Sequence, residues 1–230
     1  MGAARADLTV ACQRDPAARN RAEVALFYPG VHALWGYRLS RRLWTGGHRL
    51  AARGVSALTQ LLTGVDIHPG ADLGPGLFID HASGIVIGET AEVGRDVTIY
   101  HGVTLGGTSL ARGKRHPTIG DRVTIGAGAK ILGPITVGDD SRIGANAVVV
   151  KSVPPNSVVV GVPGQVIVRT HPRHSTEADL DNSRLPDVIG LSLQTLISRV
   201  DRIEAGIGGP LTPEAHPSAE GMWSEQDFAI

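Results

Sequence analysis

From Ile119 onward a branched aliphatic residue recurs at every sixth position: Ile119, Ile125, Ile131, Val137, Ile143 and Val149. Four positions after each stands a second small or apolar residue, at Val123, Ala129, Ile135, Ser141, Ala147 and Val153. Glycine follows the aliphatic at Gly120, Gly126, Gly138 and Gly144, where a sharp corner favours a residue without Cβ. The same phase runs upstream through Ile87-Gly88, Val93-Gly94, Ile99 and Leu105-Gly106, while Ile67, Leu73-Gly74 and Ile79 keep the period but are offset by two residues. A half-buried strand would alternate with a period of two and a helix with about 3.6. A period of six predicts hexapeptide coils instead. Each hexad gives one short flat strand and one corner, three hexads close a triangular turn, and the aliphatics of stacked turns line one shared core. The predicted fold class is mainly β, a left-handed parallel β-helix.

The flanks follow other periods. Residues 16 to about 63 read as helices, with Val31, Trp35, Leu39 and Leu43 on one stripe, a break at Gly46-Gly47 and a second helix ending at Gly64. These helices are expected to cap the open first coil. Asp15, just before Pro16, reads first of all as a helix N-cap. Beyond Pro163 the chain is rich in proline, serine and charge, and then Ile189, Leu193, Leu196, Val200 and Ile203 alternate spacings of four and three. That is either the seam of a short coiled coil or the face of an amphipathic helix packed on its own subunit. Residues 206–221 read as a flexible linker to a tail that ends at Ile230. Three regions result: 1–64, an N-terminal α-helical region; 65–167, the β-helix that carries the chemistry; and 168–230, an extension with an amphipathic helix at about 187–205 and a flexible tail.

Composition narrows the function classes. The 230 residues include 30 glycines and only 4% aromatics, which suits tightly turning β structure. Lysine plus arginine (22) balances aspartate plus glutamate (22), so no basic field draws the protein to nucleic acid or anionic lipid. No apolar run approaches the roughly 20 residues of a membrane span, and the start, Met1 to Asp7, lacks the apolar core of a signal peptide. The expectation is a soluble cytoplasmic protein. Cys12 is the one cysteine, which excludes an internal disulfide framework or a multi-cysteine metal site; it reads as a small buried hydrophobe.

The repeat is interrupted twice, and the interruptions concentrate the titratable residues. At the first, Val65-Asp66-Ile67-His68-Pro69 and Ile79-Asp80-His81-Ala82-Ser83-Gly84 precede the slip of two residues before Ile87. At the second, Leu105 and Ile119 stand fourteen apart, leaving room for a projecting loop from Gly107 to Lys114, followed by Arg115-His116-Pro117. A hydroxyl is a poor nucleophile at neutral pH, and a histidine within hydrogen-bond reach can take its proton as an acyl carbonyl is attacked. His81 is the candidate, with Asp66, about one coil earlier, placed to hold the reactive tautomer. Arg115 can grip a carboxylate through two parallel hydrogen bonds, and an aspartate can pair with an ammonium group. A zwitterionic amino acid would fit such a set.

These strings resemble the serine acetyltransferase family: Arg14-Asp15-Pro16, Tyr28-Pro29-Gly30-Val31-His32-Ala33, Val65-Asp66-Ile67-His68-Pro69-Gly70, Asp80-His81-Ala82-Ser83-Gly84, Val103-Thr104-Leu105-Gly106-Gly107 and Lys114-Arg115-His116-Pro117, together with Ile125-Gly126-Ala127-Gly128-Ala129-Lys130 and Gly161-Val162-Pro163. The resemblance runs from about Asp15 to Ile167. It implies transfer of acetyl from acetyl-CoA to the hydroxyl of L-serine, the first step of cysteine biosynthesis from serine, directly and without an acyl-enzyme. His81 would be the general base, oriented by Asp66. Asp15, Asp80, Arg115 and His116 would bind serine, the two basic residues addressing its carboxylate, in a site formed between neighbouring subunits of a homotrimer. Acetyl-CoA would pass as co-substrate near Gly107 and Ala127, with no permanently bound cofactor and no metal. L-Cysteine would be a feedback inhibitor, and the C-terminal Ile230 would insert into O-acetylserine sulfhydrylase. Longer relatives carry further N-terminal helices that pair two trimers; this chain starts shortly before Arg14, which makes a lone trimer or a dimer of trimers the expected assembly.

Three other readings remain open on the residues. One is a hexapeptide acyltransferase with a sugar, homoserine or antibiotic as acceptor. Another is a metal-dependent carbonic anhydrase holding its metal with His81, His101 and His116, for which the arginine and carboxylates would be superfluous. The last is a scaffold acting only through its tail.

Overall fold

The computed structural model describes residues 3–168 and 188–207. The chain divides into two compact units, Met1–Leu185 and Pro186–Ile230. In the first, four helices lead into the coils: α1 (Ala3–Arg14), α2 (Arg21–Phe27), α3 (Pro29–Thr45) and α4 (Arg49–Thr63). Strands β1 (Val65–Ile67), β2 (Asp72–Leu73) and β3 (Phe78–Ile79) make the first coil, and β4 (Ile85–Ile87), β5 (Glu92–Val93) and β6 (Thr98–Ile99) the second. The third comprises β7 (Thr104–Gly106), β8 (Thr118–Ile119) and β9 (Thr124–Ile125), the fourth β10 (Lys130–Leu132), β11 (Thr136–Val137) and β12 (Arg142–Ile143). A fifth turn is built from β13 (Val148–Val149), a bridge at Val153 and β14 (Ser157–Val160), on which β15 (Gln165–Val168) folds back antiparallel.

Strands one coil apart pair in parallel, giving three sheets with orders β1-β4-β7-β10-β13, β2-β5-β8-β11 and β3-β6-β9-β12-β14-β15. The period of six thus becomes three aliphatic ladders facing one core. In the first sheet Ile67, Ile87, Leu105, Ile131 and Val149 are in register, and in the third Ile79, Ile99, Ile125, Ile143 and Val159. Most of these side chains are fully buried. The chain is a parallel β-helix of hexapeptide repeats. Between the second and third sheets the corner repeats a left-handed residue at Gly76, Asp96, Arg122, Asp140 and Asn156, a conformation that aspartate and asparagine tolerate better than most residues.

The helices differ from the sequence reading in two respects. A helix, α1, precedes Asp15, and the next begins at Arg21 with Asn20 as its N-cap. Asp15 is therefore not a helix cap; its Oδ1 accepts from Ala17 N at 2.8 Å in the connecting turn. In α3 the buried face is Val31, Ala33, Leu34 and Tyr37, while Leu39 is exposed and Trp35 and Leu43 are half-buried. The rotation has a cause. A Cβ on Gly30 would lie 2.2 Å from the Ile79 carbonyl oxygen, so α3 meets the first coil through bare backbone. Tyr37 then reaches the coil, its hydroxyl donating to Ala71 O at 2.8 Å and accepting from Leu73 N at 3.2 Å.

In the second unit α5 spans Val188–Ile207, with Leu196, Val200 and Ile203 about half-exposed. No helix among the described residues is long and apolar enough to cross a membrane. The tail with Ile230 lies outside the described residues.

Candidate active site

The offset of two residues seen in the sequence is located at one corner. Ile67 pairs with Ile87, twenty residues on, whereas Ile87 pairs with Leu105, eighteen on. The extra residues fall between β3 and β4, where His81 (φ 54°) and Ala82 (φ 45°) both turn left-handed. Ala82 is fully buried, and the side chain of His81 is 74% exposed. The Asp80 carboxylate stands 4.0 Å from His81 Nε2. One coil on, the His101 ring meets that of His81 edge-on, with centroids 5.9 Å apart.

Asp15 belongs to the same side of the molecule. Arg14, at the end of α1, donates to Val97 O at 3.2 Å and Thr98 Oγ1 at 3.0 Å, which ties the helix end to the second coil. The Tyr28 hydroxyl donates to Asp15 Oδ2 at 2.6 Å. That hydrogen bond, ahead of burial and the charges of Asp15, Glu23 and Asp80, pushes the Tyr28 phenol up to about 12. Burial first, and then the Asp80 charge, also raises the Tyr100 phenol. Asp80 is thus electrostatically linked to both tyrosines.

A second cluster occupies the corner between the first and second sheets. Arg115 donates to Glu89 Oε2 at 2.5 Å, which holds the Glu89 carboxyl below its ordinary range. Lys114 Nζ donates to Thr90 O at 2.9 Å and pairs with Glu92 at 3.0 Å. His116 is buried, and its Nδ1 is met by Thr90 N at 3.2 Å and Thr90 Oγ1 at 2.9 Å. Burial, followed by the charge of Arg115, lowers its pKa. A Cβ on Gly88 would fall 2.0 Å from the His116 ring, so only glycine leaves the ring its slot. In the first coil His68 lies edge-on to Trp44 at 5.0 Å, with Nδ1 accepting from Gly70 N at 2.9 Å.

The sequence-derived residues therefore fall into two groups. Asp15, Asp80 and His81 share one side with His101; Arg115 and His116 share the other corner with Gly107, whose Cβ position is 3.3 Å from His116 Nε2. Ala127 stands at the His101 corner, its carbonyl accepting from Asn146 N at 2.8 Å. Asp66 lies on β1 opposite Val86. No hydrogen bond joins it to His81 among the described residues of the single chain. His81 and His101 meet at one corner and His116 lies at another. Tyr28, Glu89 and Thr90 were given no role from the sequence. Tyr28 opens the Tyr28-Pro29-Gly30-Val31-His32-Ala33 segment, and Glu89-Thr90 directly follows Ile87-Gly88, where an acid and a hydroxyl at a corner are the available signal.

Coils of this build, with an exposed histidine beside carboxylates at one corner and an arginine-histidine pair at another, define the class of hexapeptide-repeat acyltransferases. Residues 116–151 match the family model described as bacterial transferase hexapeptide (six repeats). A serine acetyltransferase of Mycobacterium tuberculosis (strain ATCC 25618 / H37Rv) is 60% identical over 229 residues, 99% of this chain and 99% of that protein. Among solved structures, Neisseria gonorrhoeae serine acetyltransferase in complex with serine is 46% identical, with a TM-score of 0.70 over 72% of this chain and 68% of the other. Brucella abortus strain S19 serine acetyltransferase in complex with coenzyme A is 47% identical, with a TM-score of 0.71 over 74% and 68%. A serine acetyltransferase in complex with cysteine is 42% identical, with a TM-score of 0.70 over 72% and 68%. The chain belongs to the serine acetyltransferase family and is an acyltransferase.

Proposed function

We propose that the chain moves the acetyl group of acetyl-CoA onto the hydroxyl of L-serine, forming O-acetyl-L-serine and CoA, in a site that two neighbouring copies complete. One observation carries this reading: the candidate substrate-binding groups divide between two corners. Asp15, Asp80 and the exposed His81 stand on one side of the coil stack, Arg115 and His116 at the next corner across a sheet. A zwitterion that also presents a hydroxyl needs both groups, and a neighbouring copy brings the second corner to the first. A closed ring of three such contacts gives a homotrimer, which can pair into a dimer of trimers.

In the reaction His81 takes the serine Oγ proton as that oxygen attacks the thioester carbonyl, and returns it to the CoA sulfur as the C–S bond breaks. Asp66 orients the ring and stabilises the imidazolium once substrates close the site. Asp15 and Asp80 receive the ammonium group, while Arg115 and His116 receive the carboxylate. Gly107 and Ala127 line the path of the pantetheine arm, where small residues let backbone approach the ligand. Transfer is direct, in keeping with a His81 that has no serine or cysteine side chain paired with it among the described residues; its neighbours are Asp80 and His101. L-Cysteine, sharing both zwitterionic groups with serine, competes for the same place as a feedback inhibitor, in keeping with the relative solved with cysteine. The reading places the enzyme in the cytoplasm, divides the chain at 1–64, 65–167 and 168–230, and gives Ile230 the role of a carboxylate-bearing anchor for O-acetylserine sulfhydrylase.

The test is acetyl-CoA consumption by the purified protein with L-serine, compared with homoserine and sugar acceptors. His81→Ala is expected to lower kcat by at least about 10²-fold with assembly intact. Turnover at the wild-type rate removes His81 from its role, and failure of L-serine as acceptor removes the reading.

A further inference from the structure

Thr90 holds three adjacent residues at once. Its hydroxyl oxygen accepts from Arg115 N at 3.0 Å and His116 N at 3.2 Å, and its carbonyl accepts from Lys114 Nζ at 2.9 Å. The same hydroxyl lies 2.9 Å from His116 Nδ1, and the Thr90 backbone N–H points at that nitrogen from 3.2 Å. A backbone N–H can only donate, so Nδ1 must be the acceptor. The hydroxyl, with both acceptor places filled by amides, has its single proton left for the same nitrogen.

We propose that Thr90 is a positioning residue that locks His116 in the tautomer carrying its proton on Nε2, and so presents a neutral Nε2–H donor to the substrate carboxylate. The inference rests on the placement of His116 in the serine site proposed above. A proton on Nδ1 would face two donors, which excludes the other neutral tautomer and disfavours the imidazolium; burial acts in the same direction. Nε2 has no hydrogen-bond partner among the described residues. The ring fills the place a Gly88 side chain would take, Nε2 standing 2.1 Å from that Cβ position and 3.3 Å from the one at Gly107, so neither of these two positions sets a side chain against the donor. The two carboxylate ligands then differ in kind. Arg115 supplies the charge and is steered by Glu89; His116 supplies direction without adding a further cation to Arg115 and Lys114.

The experiment combines nitrogen NMR of histidine-labelled protein with kinetics. In the unliganded wild type, the signals lost in His116→Ala should show a protonated Nε2 and an unprotonated Nδ1 near neutral pH. Thr90→Val is expected to raise the KM for serine about tenfold with kcat held within about twofold, and Thr90→Ser to restore KM. A protonated Nδ1 in the wild type overturns the proposal. So does an unchanged KM in Thr90→Val while His116→Ala raises it, an outcome that leaves the site reading standing. If His116→Ala itself leaves KM unchanged, the substrate role falls together with the placement of His116 in the site, whatever tautomer the spectra show.

Discussion

Replacing Gly88 by alanine probes how tightly the His116 slot is built. A Cβ at Gly88 would lie 2.0 Å from Cδ2, 2.1 Å from Nε2 and 2.8 Å from Cε1 of His116. Carbon atoms rest about 3.5–4.0 Å apart, so the ring must retreat by more than about 1 Å. Gly88 has no positive φ, so alanine is not strained by backbone conformation and the whole effect falls on the ring. Retreat breaks the two hydrogen bonds at Nδ1, each worth about 0.5–1.5 kcal/mol. The expected loss is about 1–3 kcal/mol of stability, and a misaimed Nε2 raises the KM for serine about tenfold or more, each 1.4 kcal/mol being a factor of ten. kcat should move by no more than about threefold, because the added methyl touches neither His81 nor its neighbours Asp80 and His101. Initial rates against serine at saturating acetyl-CoA, with urea denaturation alongside, measure both. Gly54→Ala is the control: it lies inside α4 with nothing within 4 Å of the added Cβ, and should gain about 0.5–1 kcal/mol from helix propensity with KM unmoved. If Gly88→Ala behaves like Gly54→Ala, the slot is not tight and the argument from it is wrong.

Four further outcomes are expected. Tyr28→Phe removes the 2.6 Å donor to Asp15; as a charge-assisted bond worth about 1.5–3 kcal/mol, its loss should raise the serine KM by at least about tenfold, and wild-type KM would free Asp15 from this support. Ile125→Ala empties a fully buried place in the third-sheet ladder and should cost about 2–5 kcal/mol in urea unfolding; a smaller loss means the coils collapse around the cavity. His68 and His116 are held below the ordinary 6.5, chiefly by burial, so the unfolded chain binds more protons than the folded one as pH falls through that value. Their stability is whole above about 6.5 and declines below it, with Glu89 adding a further loss below its ordinary 4.5; a midpoint of unfolding that rises on acidification from about pH 8 to 5 contradicts the sign. Deleting Ile230 should abolish capture of purified O-acetylserine sulfhydrylase, and undiminished capture discards the anchor.

What was legible in the sequence follows from the range of the forces that place each residue. The hexads Ile119 to Val149 could be read off because every coil repeats the same local solution, and each aliphatic needs only the one above and the one below. The loop from Gly107 to Lys114 was visible as a gap in that count. Asp15 was misread because its surroundings are not local: the residues that hold it and its helix, Tyr28 and the second-coil corner at Val97 and Thr98, come from other turns of the chain. The stripe on α3 failed for a related reason, since close approach at Gly30 and the buried Tyr37 hydroxyl set its rotation more than apolar spacing does. Thr90 was invisible because threonine at a β corner is ordinary until the His116 ring is seen to fold back over it.

The His81 corner shows why chemistry sits where the period breaks. In a regular corner of this stack the left-handed residue is Gly102, Gly128 or Asn146, and each donates its amide to the coil before it. His101, Ala127 and Ala145 stand one coil apart there, with His101 O accepting from Gly128 N and Ala127 O from Asn146 N. The insertion before Gly84 breaks that column. Ala82 takes a left-handed conformation that costs an L-residue about 1–2 kcal/mol and turns its methyl into the core, fully buried; His81 is thereby turned outward with most of its ring exposed. Deleting two residues would restore the column and remove the strain. The fold keeps them, and what they add is a histidine with Asp80 at 4.0 Å, His101 edge-on behind it, and an open side toward which a hydroxyl can come.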